Sequence, residues 1–211
     1  MRPFFNEMEI KDRILTESLG MFFRQGIRRV TMDDIANHLA VSKKTIYSCF
    51  KDKDEIVQKA CESFLNENRC MLKEYSQESK DAIHEIIISM QKLHETFSNL
   101  NPVLFDDMQR YYPKTWKLFL KFKEESIAAT IEKNLKKGIA EQLYRPDINL
   151  KILVRLRLEE VAMGMNAEVF PPSQFKIHEV QLALLDHFLH GIVTVKGHRL
   201  INKYKNITDE D

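Results

Sequence analysis

Glycine and proline are scarce, with six of each in 211 residues. Strand-type alternation is equally hard to find, which excludes a sandwich or barrel of many short strands. Three cysteines make no disulfide framework and fit a reducing compartment, so a cytoplasmic location is expected. No window approaches the ~20 consecutive apolar residues of a membrane helix. The opening residues, Met-Arg-Pro-Phe-Phe-Asn-Glu, turn acidic too early for a secretory signal. Net charge is only +1, so any attraction for a polyanion must come from a local patch.

Signatures of catalysis are missing too. The chain has no Gly-x-Gly-x-x-Gly, no phosphate loop, no Gly-x-Ser-x-Gly and no His-Glu-x-x-His. It lacks the Glu-x-x-His of di-metal bundles and any Cys-x-x-Cys. His187 and His190 lie three apart on one helix face, a spacing more often polar surface than a metal site. No enzyme, cofactor or metal role is expected.

What is present is a helical pattern. The apolar fraction of 44% and charged fraction of 30% are ordinary for a globular chain, and the length allows one large or two small domains. Apolar spacings of three and four recur from Met8 to Val195, so the chain reads as all-α. Helices are expected over residues 8–25, 31–39, 42–49, 53–77, 81–99, 102–112, 113–143, 149–170 and 174–197. The expected division is an N-terminal three-helix domain over 1–52, a larger helical domain over 53–200 and a polar tail over 201–211.

Thr31 to Lys53 is the most informative stretch. Ile14, Leu15, Ser18, Leu19 and Phe22 line the inner stripe of the preceding helix, and Gly26 stops it. Thr31 caps the next helix, with Asp34 adding negative charge to its first turn. Ile35, Ala36 and Leu39 point inward. Ser42 then caps a short helix locked by Val41, Ile46 and Phe50, with Cys49 on its inner side. At ~100° per residue, Lys43, Lys44, Tyr47 and Ser48 share the outer face of that helix. A short helix presenting donors with little bulk suits the major groove, while hydroxyls, cations and free helix N-termini suit phosphates. A Lys-Lys pair alone usually only solvates a surface; here it sits inside a full pattern of caps, turn and inward apolar residues.

This segment resembles the DNA-binding domain of the TetR family of transcriptional regulators. The matching residues are Gly26, Thr31, Ile35, Ala36, Val41, Ser42, Lys43, Thr45, Ile46, Tyr47, Phe50 and Lys53, within roughly residues 10–57. The resemblance implies a homodimer that binds a pseudo-palindromic operator in double-stranded DNA, usually as a repressor. It also implies a C-terminal domain that dimerises and binds a small-molecule effector that releases the DNA. By position, Lys43, Lys44, Thr45 and Tyr47 correspond to recognition-helix contacts, and Thr31 and Lys53 to backbone contacts; Ser42, at the helix start, joins this set. One position departs from the family: Ala40 stands in the turn where glycine is usual. If that residue takes positive φ, alanine costs on the order of 1 kcal/mol.

The last long helix has an apolar arc covering more than half its circumference, wider than one partner needs. A second subunit against Leu184, Leu185, Phe188, Ile192 and Val195 is one explanation; burial within one chain is the other. On the helix before it, Arg155, Arg157, Glu159 and Glu160 interrupt the apolar face and are candidates for cross-subunit ion pairs. The middle helices concentrate soft, large side chains: Met90, Phe97, Phe105, Met108, Tyr111, Tyr112, Trp116, Phe119 and Met163. They are ordinary core or, in part, the lining of a pocket for an apolar or aromatic effector. The alternative to a regulator is a helical module that binds a small molecule or protein, its helix-turn-helix serving only as structure.

Overall fold

The computed structural model describes residues 7–98 and 100–205. The first six residues, Asn99 and the last six lie outside them, and with them most of the expected polar tail. The described residues form helices α1 (Glu7–Gln25), α2 (Met32–Leu39), α3 (Lys43–Cys49), α4 (Lys53–Glu78), α5 (Ala82–Phe97), α6 (Val103–Tyr111), α7 (Pro113–Phe122), α8 (Ala128–Ala140), α9 (Leu150–Met163), α10 (Ile177–Ile192) and α11 (Val195–Lys205). A π-helical turn, Lys123–Ile127, joins α7 to α8. The fold is all-α, and one isolated bridge, Tyr144 to Val193, is the extent of β pairing among the described residues.

Two compact units divide the chain: Met1–Glu67 with Asn99–Leu120, and Asn68–Ser98 with Lys121–Asp211. Lys53, where the second domain is expected to start, is the first residue of α4, and α4 runs on through both units' sequence.

The first unit is built on α1, α2 and α3, with α6 packed on α1. Ile14, Phe22, Val30, Ile35, Leu39, Ile46 and Phe50 are all buried there. Gly26 ends α1 at φ 83°, where glycine alone is unstrained. The Asn101 N–H donates to Phe23 O at 2.6 Å, tying the start of α6 to the end of α1.

The second unit centres on α5, α8, α9, α10 and α11. Its core includes Ala82, Ile83, Leu135, Tyr144, Phe188, Leu189 and Ile192. Tyr144 is locked in place: its hydroxyl donates to Asn134 Oδ1 at 2.9 Å, and Asn134 Nδ2 donates to Ala82 O at 2.9 Å. A methyl at Gly138 would sit 2.1 Å from the Tyr144 ring, so only glycine lets the ring lie there.

Several expectations change here. The helix expected to run to Gly197 breaks at Val193 and Thr194. Thr194 N–H donates to Leu143 O at 2.9 Å, and its hydroxyl accepts from Gly197 N–H at 3.1 Å, capping a new helix, α11. That helix extends to Lys205 through what was expected to be tail. The helix expected to reach 170 stops at Met163, because Gln181 Nε2 donates to Val161 O at 2.8 Å and fits only against the bare Cα of Gly164. The wide apolar arc of α10 is explained within one chain. Leu185, Phe188 and Ile192 are buried, since α10 packs on both α5 and α9. Leu184 is half-buried and Val195 is 71% exposed. The charges on α9 also pair internally: Arg155 with Glu159 and Glu124, and buried Arg157 with Glu160 at 3.1 Å.

Candidate nucleic-acid interface and a cavity in the second unit

Each DNA-reading candidate is positioned by local sequence. Thr31 caps α2 in a reciprocal box: its hydroxyl accepts from Asp34 N–H at 3.2 Å, and Asp34 Oδ2 accepts from the Thr31 N–H at 2.8 Å and hydroxyl at 2.7 Å. Those bonds hold the Asp34 carboxyl below its usual pKa. Arg13 Nη2 donates to Leu39 O at 3.2 Å, securing the far end of α2.

The turn then passes through Ala40 at φ 54°, ψ 41°. Its N–H reaches Asn37 O at 3.1 Å, and Val41 N–H reaches Ala36 O at 3.0 Å. The turn therefore takes the left-handed conformation despite the alanine, at a cost on the order of 1 kcal/mol.

Ser42 caps α3, its hydroxyl accepting from Thr45 N–H at 3.1 Å. Ile46 is fully buried, which fixes the helix by one side. Lys43, Lys44, Tyr47 and Ser48 are exposed on the other, with Tyr47 at 53%. Thr45 is half-buried, and its hydroxyl is 2.8 Å from that of Ser42. Lys43 Nζ pairs with Asp33 at 2.7 Å across the turn, which raises the lysine pKa. Lys53 begins α4 half-buried. Burial lowers its pKa, and the nearby Asp107 and Asp54 charges oppose that fall. Thr31, Ser42, Lys43, Lys44, Thr45 and Tyr47 thus sit on two short helices and one turn. The Asp33 partner of Lys43 was missed in the sequence, although its position ten residues before Lys43 was visible.

The aromatic and methionine candidates do not form one group. Phe105, Met108, Tyr111, Tyr112, Trp116 and Phe119 fall in the first unit, and Met90, Phe97 and Met163 in the second. Phe105 and Met108 are buried, and Phe119 stacks on Trp116 at 5.2 Å and meets Phe105 at 5.7 Å. Tyr111 is half exposed, its hydroxyl accepting from Arg28 Nη1 at 3.1 Å.

The second unit holds a cavity of about 370 Å³ between α4, α5, the π-turn and α8. Leu72, Ser76, Glu85, Ser126 and Thr130 line it, with Lys73 and Lys133 on its exposed margin. None of the nine aromatic and methionine candidates does. Met163 borders a separate cavity with Leu156, Glu160 and Val169.

Residues 14–60 match the family model described as "Bacterial regulatory proteins, tetR family". The chain is 25% identical over 181 residues to the HTH-type transcriptional regulator YvaF of Bacillus subtilis (strain 168), covering 85% of this chain and 94% of that protein. It is 30% identical over 81 residues to the biofilm-operon negative transcriptional regulator IcaR of Staphylococcus aureus (strain Newman), covering 37% of this chain and 44% of that one. Its fold matches a crystal structure of a TetR-family transcriptional regulator from Agrobacterium tumefaciens with a TM-score of 0.72, at 16% identity over 90% of this chain and all of that one. Regulators of this family are DNA-binding transcription factors rather than enzymes. With its capped helix-turn-helix inside the matched segment, the chain carries a TetR-family DNA-binding domain over residues 14–60, and it resembles a transcriptional regulator along nearly its whole length.

Proposed function

We propose that this regulator is a repressor that binds a pseudo-palindromic operator as a homodimer and releases it when a small molecule enters the second unit. The observation that carries the reading is α3. It is capped at Ser42, anchored by a fully buried Ile46, and presents Lys43, Lys44 and Tyr47 to solvent together. Such a face offers cationic and hydroxyl donors to base edges and phosphates. Thr31 at the α2 N-terminus and Lys53 at the α4 N-terminus would then grip the backbone. Repression as the mode is favoured by the negative regulator among the relatives.

Support for a dimer comes from surface rather than core. On α9, Ile152 is 63% exposed, Leu156 47% and Met163 38%. Along α10, Ala183, His187 and Gly191 are exposed at a spacing of four, and a Cβ built on Gly191 would meet nothing within 4 Å. An apolar stripe beside small residues is the surface two helix pairs need for close approach. The interface therefore uses this face, with Leu184 at its edge, in place of Leu185, Phe188 and Ile192.

Selection from random DNA, followed by titration in increasing salt, tests the DNA reading. An enriched two-fold symmetric site, whose affinity falls steeply with salt, is expected. Recovery of no enriched sequence would leave the helix-turn-helix as structure only.

A further inference from the structure

Glu85 is 3% exposed, yet neither of its carboxylate oxygens has a hydrogen-bond donor in the protein. Lys137 Nζ lies 3.8 Å away, too far for a hydrogen bond, and donates instead to Ser79 Oγ at 2.8 Å. The position of Glu85 in the first turn of α5 adds the partial positive charge of the helix N-terminus. Its charge is therefore partly balanced while its lone pairs, about four acceptor sites, stay empty. A buried carboxylate normally fills those sites.

Glu85 is among the residues that line the cavity of about 370 Å³. Two hydroxyls there are already engaged. Ser126 Oγ accepts from Arg69 Nε at 3.1 Å, and Thr130 Oγ1 donates to Ser126 O at 2.9 Å. Leu72 and Ala129 supply apolar wall. Among the described residues no three acidic, histidine or cysteine side chains gather to hold a metal ion, and Lys137 stands beside the carboxylate.

We infer that this cavity binds a small organic cation whose head carries N–H donors, an ammonium or guanidinium on a short apolar stem, with the head on Glu85. Charge-assisted N–H···O bonds are the strong kind, and they satisfy charge and lone pairs together. Arg69, Lys73 and Lys133 in the lining outnumber its second carboxylate, Glu125, and repel a second positive charge, so a single-headed amine fits better than a polyamine. This inference rests on the effector reading above and names its chemistry. It departs from the apolar or aromatic effector expected from the sequence.

The test is calorimetric titration of the full chain with hexylamine, hexanoate and hexyltrimethylammonium. Hexylamine should bind, hexanoate should not, and the quaternary ammonium, which has no N–H, should bind roughly tenfold or more weaker. Glu85→Gln should weaken hexylamine binding by roughly tenfold or more with an unchanged circular-dichroism spectrum. Ala129→Trp, at an exposed wall position, should block hexylamine while leaving Glu85 in place. If Glu85→Gln does not fold, Ala129→Trp decides. Hexylamine binding that survives either change in a folded variant overturns the assignment. So do equal binding of hexanoate or the quaternary ion, and no binding of hexylamine. Operator affinity measured with and without hexylamine separates the two readings. Binding without release upholds the amine site and removes the effector role, whereas failure of the amine leaves the DNA-binding reading untouched.

Discussion

The backbone N–H of Arg28 donates to Oδ2 of Asp107 at 2.9 Å, and that carboxylate is only 4% exposed. The bond ties the loop between α1 and α2 to α6. Arg28 reinforces it: its guanidinium lies 4.2 Å from the centre of the Tyr111 ring. Gly26, two residues earlier, is bare where a Cβ would come 3.2 Å from the same Asp107 oxygen. The residues before Thr31 are therefore positioned by a helix distant in sequence.

Asp107→Ala should lower stability by about 1–3 kcal/mol, because it strands the Arg28 N–H and removes a charged acceptor. Asp107→Asn, which keeps an acceptor oxygen, should lose less. Urea denaturation of the three proteins checks the order Asp, Asn, Ala. Equal midpoints for Asp and Ala would show that the bond carries no stability.

Ala40 gives a prediction of opposite sign. At φ 54° its methyl group meets the following carbonyl, a strain that glycine lacks. Glycine also gains entropy when unfolded, which offsets part of the relief. Ala40→Gly should therefore raise stability by about 0.5–1 kcal/mol, read as a higher urea midpoint at unchanged slope. Operator affinity should be unchanged, since α2 and α3 keep their geometry. A fall in stability would mean the turn is not strained.

These two residues mark how far the sequence could be read. Ala40 sits in a turn whose geometry is local: caps at Thr31 and Ser42 and three inward residues on α2 define it, so the positive φ was foreseeable. The loop's bond to Asp107 joins residues 79 positions apart, and nothing near Arg28 announces it. The same holds for the second unit. The helical period there was clear, but the break before Thr194 depends on the carbonyl of Leu143, and the burial of Phe188 on neighbours that a helical wheel does not show. A wide apolar arc reports that two sides are covered; which chain covers them is a tertiary fact. Glu85 was passed over for a related reason, because a carboxylate on an apolar face signals only once the cavity beside it is known.

In the proposed reading, α3 carries its own brake. Lys43 is held at 2.7 Å by Asp33, so it must leave that partner, or share it, to reach DNA. Asp33→Asn should therefore strengthen DNA binding, most at low salt, where screening is weak. Lys43→Ala and Tyr47→Phe should each weaken specific binding by about 1–3 kcal/mol. If Lys44 meets a phosphate, Lys44→Ala should reduce the slope of log affinity against log salt by about 0.9. Fluorescence anisotropy across a salt series reads all four. Unchanged affinity in both Lys43→Ala and Tyr47→Phe would move the reading surface elsewhere.

The proposed dimer face is tested by contrasting an exposed residue with a buried one. Leu156 and Ile152 point outward from α9, so Leu156→Asp costs the isolated chain little. In a dimer closed by that face it buries charge against apolar partners and should shift the molecule to monomer. Phe188, 6% exposed, lies in the core of the second unit, so Phe188→Ala should cost about 3–5 kcal/mol in folding instead. Light scattering after size exclusion should show a helical monomer for Leu156→Asp. Thermal melting should show a destabilised protein for Phe188→Ala. The Leu156→Asp protein should also lose most of its affinity for a two-half-site operator while a single half-site binds as before, because linkage of the two readers supplies the difference. A Leu156→Asp protein that remains dimeric would place the interface away from α9.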